Sequence, residues 1–145
     1  MRLTTFTDYT IRVLIYLAQN REKLTTVGEL ANSYRVSRNH LTKVVHYLGQ
    51  QGYIETLRGK GGGIQLALSP NAINIGKLIR QTERNSVLVE CFKSENCGCK
   101  IRPVCRLTGV LAEAQEAFYQ VLEAYTLADL AIDAPAFDHL LSDQG

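Results

Sequence analysis

The sequence lacks any apolar run long enough to be a signal peptide or a membrane span. Its start, from Met1 to Asp8, mixes polar and apolar side chains throughout. The sequence therefore predicts a cytoplasmic protein with no membrane partner. At 145 residues the chain is expected to form one domain, or a small domain with an appended helix, whose core needs no covalent cross-links.

Cysteine is absent outside residues 91–105, where all four cysteines of the chain lie. That stretch has one Gly, one Pro and no sustained apolar period, which is typical of a loop. In a reducing compartment, clustered thiols indicate metal or redox chemistry rather than a structural disulfide. The cysteines are separated by five, one and five residues, so the Cys-x-x-Cys pairs of structural zinc are missing. The spacing leaves zinc and an iron–sulfur cluster open, with a thiol redox switch as a third alternative.

The net charge of +2 hides a difference between the two ends of the chain. Residues 1–60 hold nine Lys and Arg against four Asp and Glu, whereas residues 106–145 hold one against seven. A basic front and an acidic back suggest that only one face of the protein meets a polyanion. A charge imbalance with no partner is the alternative.

Near the N-terminus, apolar residues recur at the three- and four-residue spacing of one helix face. These residues are Phe6, Tyr9, Val13, Leu14 and Leu17. The spacing predicts a helix that ends near Asn20. Thr5 and Asp8 have the Thr-x-x-Asp shape of a capping box, which would give the Asp8 carboxylate a purely structural role.

Two further helical segments are joined by a short turn. Thr26 and Glu29 form a second predicted capping box, which opens a helix that ends near Tyr34. The next helix is predicted from Arg38 to about Gln50, and its exposed start is basic and rich in polar groups. The candidate DNA contacts there are Ser37, Arg38, Asn39, His40 and Lys43. This pattern predicts a helix-turn-helix, with a helical hairpin that has a solvated polar face as the alternative.

A predicted β-hairpin follows directly. Residues 53–57 and 64–68 alternate as strands do, and they flank a tip that contains Arg58, Lys60 and four glycines. Such a tip suits a loop that approaches a phosphate wall or enters a narrow minor groove. The glycines do not lead from a strand into a helix, so a nucleotide-binding loop is not indicated. A hairpin after a helix-turn-helix is a wing, and together they predict DNA binding.

The C-terminal third contains a predicted long helix. Apolar residues at alternating spacings of four and three continue for about three heptads. The candidate dimerisation residues are Leu107, Leu111, Ala114, Phe118, Val121 and Tyr125. We expect a homodimer, with a helix folded onto its own domain as the alternative.

The predicted fold class is therefore mainly α, a winged helix-turn-helix with a two-stranded wing and a long C-terminal dimerisation helix. Residues 1–84 are expected to form the DNA-binding domain, 85–105 a cysteine-rich loop, 106–130 the dimerisation helix and 131–145 a tail. The domain is expected to include a short helix that ends near Glu83.

Five motifs together resemble one bacterial family. They are Thr7-Asp8-Tyr9, residues 36–41 at the start of the recognition helix, residues 58–63 in the wing, residues 103–107 and residues 125–130. From Leu3 to about Leu130 the chain resembles the nitric-oxide-sensitive repressors of the dimeric winged-helix regulators, a family that includes the iron–sulfur assembly regulator IscR. IscR has a His shortly after its third Cys, whereas Leu107 and Thr108 follow Arg106 here.

This resemblance implies a homodimer with one iron–sulfur cluster per subunit, 4Fe–4S with 2Fe–2S as the alternative. The implied ligands are Cys91, Cys99 and Cys105, and Asp8 of the partner subunit completes the set. Cys97 is an extra thiol, which could be a free neighbour, a fourth ligand or the middle ligand in place of Cys99.

The function implied by the resemblance is a repressor that binds palindromic operator DNA and leaves it when nitric oxide attacks the cluster. A regulator that does not respond to nitric oxide, either zinc-stabilised or sensing iron–sulfur status, is the alternative. An enzyme or electron carrier is a further rival, but no nucleophile–base pair or second cofactor motif is present. The chain is therefore not expected to be an enzyme.

Overall fold

The computed structural model describes residues 1–93 and 97–142. Within those ranges the fold consists of six helices and two strands. They are α1 (Thr5–Gln19), α2 (Val27–Tyr34), α3 (Arg38–Gln50), β1 (Ile54–Leu57), β2 (Gly63–Leu66), α4 (Ile75–Thr82), α5 (Leu107–Glu123) and α6 (Ala134–Ser142). Short 3-10 turns lie at Pro70–Ala72, Glu90–Phe92, Arg102–Val104 and Leu127–Leu130. The predicted fold class, a mainly α winged helix-turn-helix, is confirmed. No helix within the described ranges combines the length and the apolarity needed to cross a bilayer.

The core lies where α1, α3 and α4 meet. Its largest fully buried side chains include Leu14, Leu17, Leu41, Leu48 and Leu78. On α3, the buried residues Leu41, Val44 and Leu48 are spaced three and four apart, so one stripe of the helix faces α1. The opposite side of α3 is left to solvent.

The turn between α2 and α3 fixes the position of the recognition helix. The Thr26–Glu29 capping box forms as predicted. The C-cap of α2 is Arg35, which adopts the left-handed conformation with φ of 52°. Ser37 occupies the N-cap position of α3, but its side chain makes no capping hydrogen bond.

The wing is a two-stranded antiparallel sheet in which Ile54 pairs with Leu66. Its strands are shorter than predicted, and Leu68 lies beyond β2 with 40% of its surface exposed. Two hydrogen bonds between the backbones of Ile64 and Thr25, at 2.8 and 3.0 Å, attach the wing to the segment before α2. The wing is therefore positioned by the helix-turn-helix itself.

Helix α5 docks on α4 through a close crossing and a charge cluster. A Cβ atom on Gly76 would lie 2.3 Å from the backbone nitrogen of Glu123, so the two helices approach within a distance that only glycine permits. Beside this crossing, Arg80 makes two hydrogen bonds of 2.9 Å to the Glu116 carboxylate and one of 3.0 Å to that of Glu123. The Arg80 guanidinium also lies 4.4 Å from the centre of the Tyr119 ring.

The predicted apolar seam of the C-terminal helix combines two different faces. Leu111 and Phe118 are partly buried, and Phe118 packs against the core of its own chain. Tyr125 lies beyond α5, which ends at Glu123 rather than continuing to residue 130. The exposed apolar face of α5 is a neighbouring stripe that shares only half of the predicted positions. This exposed α5 stripe consists of Leu107, Val110, Ala114, Ala117 and Val121.

The C-terminal tail contains a helix that the sequence did not indicate. Phe137 of α6 is only 5% exposed, and its ring packs edge-to-face on Tyr16 at a centroid distance of 5.9 Å. This contact folds α6 back against the N-terminal domain.

Candidate DNA-binding surface and cysteine site

The exposed start of α3 holds the predicted DNA contacts together. Arg38, Asn39, His40 and Lys43 all lie on the solvent side of the helix, and Ser37 is exposed just before it. Because the opposite stripe of α3 is anchored in the core, these side chains form a fixed polar surface. An exposed helix of this kind is the element that enters the major groove in helix-turn-helix proteins.

Arg38 is positioned by a glycine in the preceding helix. A Cβ atom on Gly28 would lie 2.2 Å from a terminal guanidinium nitrogen of Arg38. The end of the Arg38 side chain therefore lies against the first turn of α2. The sequence alone gave no indication of this contact.

The tip of the wing presents the two predicted cations. Arg58 and Lys60 are exposed, and the glycines beside them, Gly59 and Gly61, have φ values of 98° and 77°. Those left-handed conformations favour glycine, so the tight tip depends on having glycine at these two positions.

Asp8 does not cap α1, and the predicted Thr5–Asp8 capping box is wrong. The N-cap is Thr4, whose hydroxyl accepts a hydrogen bond from the Thr7 backbone N–H. The Asp8 carboxylate instead pairs with Arg12 at 2.9 Å, and about half of its side-chain surface is exposed. The Asp8 carboxylate therefore has no helix-capping role.

A series of contacts connects Asp8 to the recognition helix. The Arg12 guanidinium that pairs with Asp8 also lies 5.9 Å from the centre of the Tyr9 ring. The Tyr9 ring in turn contacts that of His40 on α3, at a centroid distance of 6.1 Å. Arg12 and Tyr9 therefore lie between Asp8 and α3.

Two of the four cysteines meet at the start of α5. The Cys105 sulfur accepts hydrogen bonds from the backbone N–H groups of Thr108 and Leu107, which hold the pKa of its thiol below the ordinary value. The Thr108 hydroxyl lies within reach of the Cys105 sulfur, and it donates to the Cys91 sulfur at 3.6 Å. Cys91 lies in the 3-10 turn Glu90–Phe92, so one threonine links two cysteines from different segments.

Among the described residues, neither Cys97 nor Cys99 completes a three-ligand group with this pair. Cys97 is half-buried and Cys99 is exposed, and all four cysteines are free thiols. Between them, the Gly98 backbone N–H donates to the Glu90 carboxylate at 3.1 Å. Within residues 1–93 and 97–142, no three His, Cys, Asp or Glu side chains are gathered closely enough to hold a metal ion.

A model of the Rrf2 family, described as iron-dependent transcriptional regulators, matches residues 3–133. The chain belongs to the Rrf2 family. It is 54% identical over 134 residues to the HTH-type transcriptional regulator NsrR of Shouchella clausii. The aligned residues cover 92% of this chain and 90% of the relative. It is 50% identical over 131 residues to NsrR of Bacillus subtilis, and the aligned residues cover 90% of each chain. These similarities confirm the resemblance predicted from the motifs.

Among solved structures, the Rrf2-family chain is similar to CymR of B. subtilis, described as its global cysteine regulator. The TM-score is 0.69 and the identity 28%, over 90% of this chain and 96% of that one. Identity to NsrR of the same species is much higher. Because the relatives regulate transcription, this Rrf2-family chain is a regulator and not an enzyme.

The cysteine site supplies sulfur donor atoms, which suit the iron dependence by which the Rrf2 family is described. Iron–sulfur clusters are held by thiolates, and Cys105 is placed where backbone N–H groups stabilise the thiolate. Cys91 is fixed beside it through Thr108. These donors fit a cluster, although the spacing alone would also suit zinc.

Three residues of the site were not predicted from the sequence. Arg12 could have been noticed, because it lies four residues after Asp8 and ion pairs at that spacing are common on helices. Thr108 and Gly28 carried no such local signal. Their partners are 17 and ten residues away in the sequence, and only the fold brings them together.

Proposed function

We propose that this Rrf2-family chain is a cluster-dependent transcriptional repressor, acting in the cytoplasm as a homodimer that releases operator DNA when nitric oxide attacks its iron–sulfur cluster. The observation that carries the proposal is the link between Cys91 and Cys105 at the start of α5. It places a pair of sulfur donors on a chain that also has a helix-turn-helix and a wing. The motif resemblance to nitric-oxide-sensitive repressors supports the choice of signal.

DNA contact is assigned to the start of α3 and the wing tip. In a two-fold symmetric dimer, the two recognition helices would enter successive major grooves about 34 Å apart on a palindromic operator. The proposed contacts on α3 are Ser37, Arg38, Asn39, His40 and Lys43. Arg58 and Lys60 would reach the flanking minor groove, whose negative potential attracts cations.

The exposed α5 stripe is the proposed dimer interface. Leu107 and Val110 are each 58% exposed and Val121 is 63% exposed, on one side of a 17-residue helix. Contiguous apolar surface of this kind is usually covered by a protein partner. Packing two copies of α5 together would cover it on both subunits at once.

The proposed cluster ligands are Cys91, Cys99 and Cys105, with Asp8 of the partner subunit and with Cys97 as the alternative to Cys99. When bound, a 4Fe–4S cluster, or 2Fe–2S as the alternative, would supply iron that reacts with nitric oxide. Asp8 would exchange its Arg12 ion pair for iron, and it can do so because its carboxylate is half exposed. The contacts from Arg12 through Tyr9 to His40 would pass that exchange to the recognition helix.

The proposal is tested by titrating anaerobically purified protein with nitric oxide while visible absorbance and operator binding are followed together. We expect brown protein whose absorbance bleaches in parallel with the loss of a gel shift. A Cys91→Ser variant should be colourless and should not respond to nitric oxide. Colourless wild-type protein with stoichiometric zinc, and DNA binding indifferent to nitric oxide, would favour a zinc-stabilised regulator instead.

The role of Asp8 has its own test. An Asp8→Ala variant should lose its cluster to an iron chelator faster than wild type and should bind the operator less tightly in the cluster-loaded state. Asp138→Ala, which removes an exposed carboxylate from α6, is the matched control. Equal cluster stability and equal operator binding in both variants would exclude Asp8 as a ligand.

A further inference from the structure

Thr108 is the second residue of α5 and contacts both cysteines that lie beside the start of this helix. Its backbone N–H bonds the Cys105 sulfur. Its hydroxyl donates to the Cys91 sulfur at 3.6 Å, across 17 residues of sequence. The Thr108 side chain is half-buried, so this contact is partly shielded from water.

The use of this hydroxyl differs from that of three other helical threonines in the chain. Thr10, Thr42 and Thr82 each donate to the backbone carbonyl four residues earlier, at 2.7, 2.8 and 3.2 Å. Such back-bonding is the usual local solution for a threonine in a helix. Thr108 instead directs its hydroxyl to a sulfur 17 residues away, as Thr7 directs its own to the distant Glu83 carboxylate. In both cases the side chain makes a tertiary contact rather than a local one.

We propose that Thr108 is a positioning residue for the cluster: its hydroxyl holds the Cys91 sulfur beside Cys105 before assembly and donates to that sulfur once the cluster is bound. The proposal rests on the proposed function, since it assumes a cluster on these cysteines. Thr108 itself is not a ligand. Its effect would be exerted through two sulfurs, in the way that outer-shell hydrogen bonds orient metal ligands in other proteins.

Two consequences follow from a hydrogen bond to a ligand sulfur. The bond stabilises the more negative, reduced form of a cluster and so raises its reduction potential. It also restricts the rotamers of Cys91, so that less ordering is required when iron binds. Loss of the hydroxyl should therefore lower the reduction potential and weaken iron retention.

The test compares Thr108→Val with Thr108→Ser. Valine keeps the branched shape and the backbone N–H but removes the hydroxyl, whereas serine keeps the hydroxyl. We expect Thr108→Val to lose iron to a chelator on the order of tenfold faster than wild type and to have a lower reduction potential. Thr108→Ser should stay close to wild type in both measurements. A valine variant with wild-type potential and wild-type iron loss would overturn the proposal, and so would a serine variant as impaired as valine.

A second measurement needs no cluster. In cluster-free protein carrying Cys97→Ser and Cys99→Ser, dibromobimane should cross-link Cys91 to Cys105, since both of its arms must find neighbouring thiols. Adding Thr108→Val should reduce the cross-link and Thr108→Ser should retain it, whereas equal yields in all three proteins would overturn the positioning role. Failure of wild-type protein to take up a cluster, with the cross-linking pattern intact, would overturn the proposed function while leaving the placement of Cys91 by Thr108 established.

Discussion

The guanidinium of Arg38, at the start of the recognition helix, lies against Gly28 in the helix before it. The contact is close enough that a Cβ atom at residue 28 would lie 2.2 Å from a terminal nitrogen of Arg38. Glycine at this position therefore sets where the first cation of the recognition helix is presented. In a helix-turn-helix, the start of the recognition helix faces the DNA.

Replacing Gly28 by alanine should move the Arg38 side chain without disturbing the folding of the domain. The clash falls on the end of a flexible side chain, so Arg38 can move away, and alanine favours the helix by up to about 1 kcal/mol. We expect the melting temperature to stay equal or rise while operator binding weakens. The slope of log K against log salt should fall by about one if a phosphate contact is lost.

Gly49→Ala is the matched control for this variant. Gly49 is also helical, but a Cβ atom there would meet nothing within 4 Å. Its substitution should raise stability without changing the salt dependence of DNA binding. A Gly28→Ala protein that binds its operator like Gly49→Ala would show that the position of Arg38 does not matter.

The wing should contribute affinity mainly through charge. Lys60 is exposed at the wing tip, between two glycines in left-handed conformations. We expect Lys60→Ala to weaken binding to operator and unrelated DNA by similar factors, because a phosphate contact carries no sequence information. Lys77→Ala removes an equally exposed lysine from α4 and should leave DNA binding unchanged. Equal losses in the two variants would indicate a general effect of net charge.

Charge on the exposed α5 stripe should break the dimer. Val110 is 58% exposed in a single chain, and burying a glutamate there against a second copy would desolvate its carboxylate. Val110→Glu should raise the dimer dissociation constant by more than about tenfold, equivalent to about 1.4 kcal/mol, as measured by sedimentation. Gln120→Glu, on the polar side of α5, should remain dimeric. A dimeric Val110→Glu protein would place the interface elsewhere.

The helix-turn-helix could be predicted closely because its signals are local. The Thr26–Glu29 capping box starts α2 by itself, and the three- and four-residue spacing of Leu41, Val44 and Leu48 defines the buried face of α3. Each signal needs only a few consecutive residues. The bounds of α3 were predicted correctly for that reason.

The start of α1 could not be decided locally, because Thr4 and Thr5 are both suitable caps. A distant residue decides between them. The Glu83 carboxylate accepts hydrogen bonds from the Thr4 backbone N–H at 2.8 Å and from the Thr4 hydroxyl at 2.7 Å, which holds Thr4 in the N-cap position. This contact spans 79 residues, so no local pattern could have shown that Asp8 is free of the capping role.

The faces of α5 were ambiguous for a related reason. Leu107, Ala114 and Val121 fit two different apolar stripes, one continuing through Leu111 and the other through Val110. Which stripe faces inward depends on how α5 is docked, and that is set by its contacts with α4, including those of Arg80. Periodicity predicted the helix, but tertiary contacts determine which side is exposed.

Glu83 should make the stability of the domain depend on pH. Glu83 is only 6% exposed. Burial raises the pKa of its carboxyl, but hydrogen bonds from Thr7 and Thr4 have the larger combined effect. They hold the pKa below the ordinary 4.5. Because the pKa is lower in the folded state, the ionised carboxylate stabilises the fold above about pH 4.5, and this contribution is lost as the pH falls through the folded-state value.

Glu83→Gln should therefore destabilise cluster-free protein by about 1–3 kcal/mol at neutral pH, because the charge-assisted bonds to α1 are weakened. The difference in unfolding free energy from wild type, measured by urea denaturation, should shrink as the pH is lowered below 4.5. Glu22→Gln, at an exposed carboxylate, should show no such difference at any pH. If Glu83→Gln lowers the unfolding free energy by the same amount at pH 7 and in this acidic range, residue 83 acts through its shape rather than its charge.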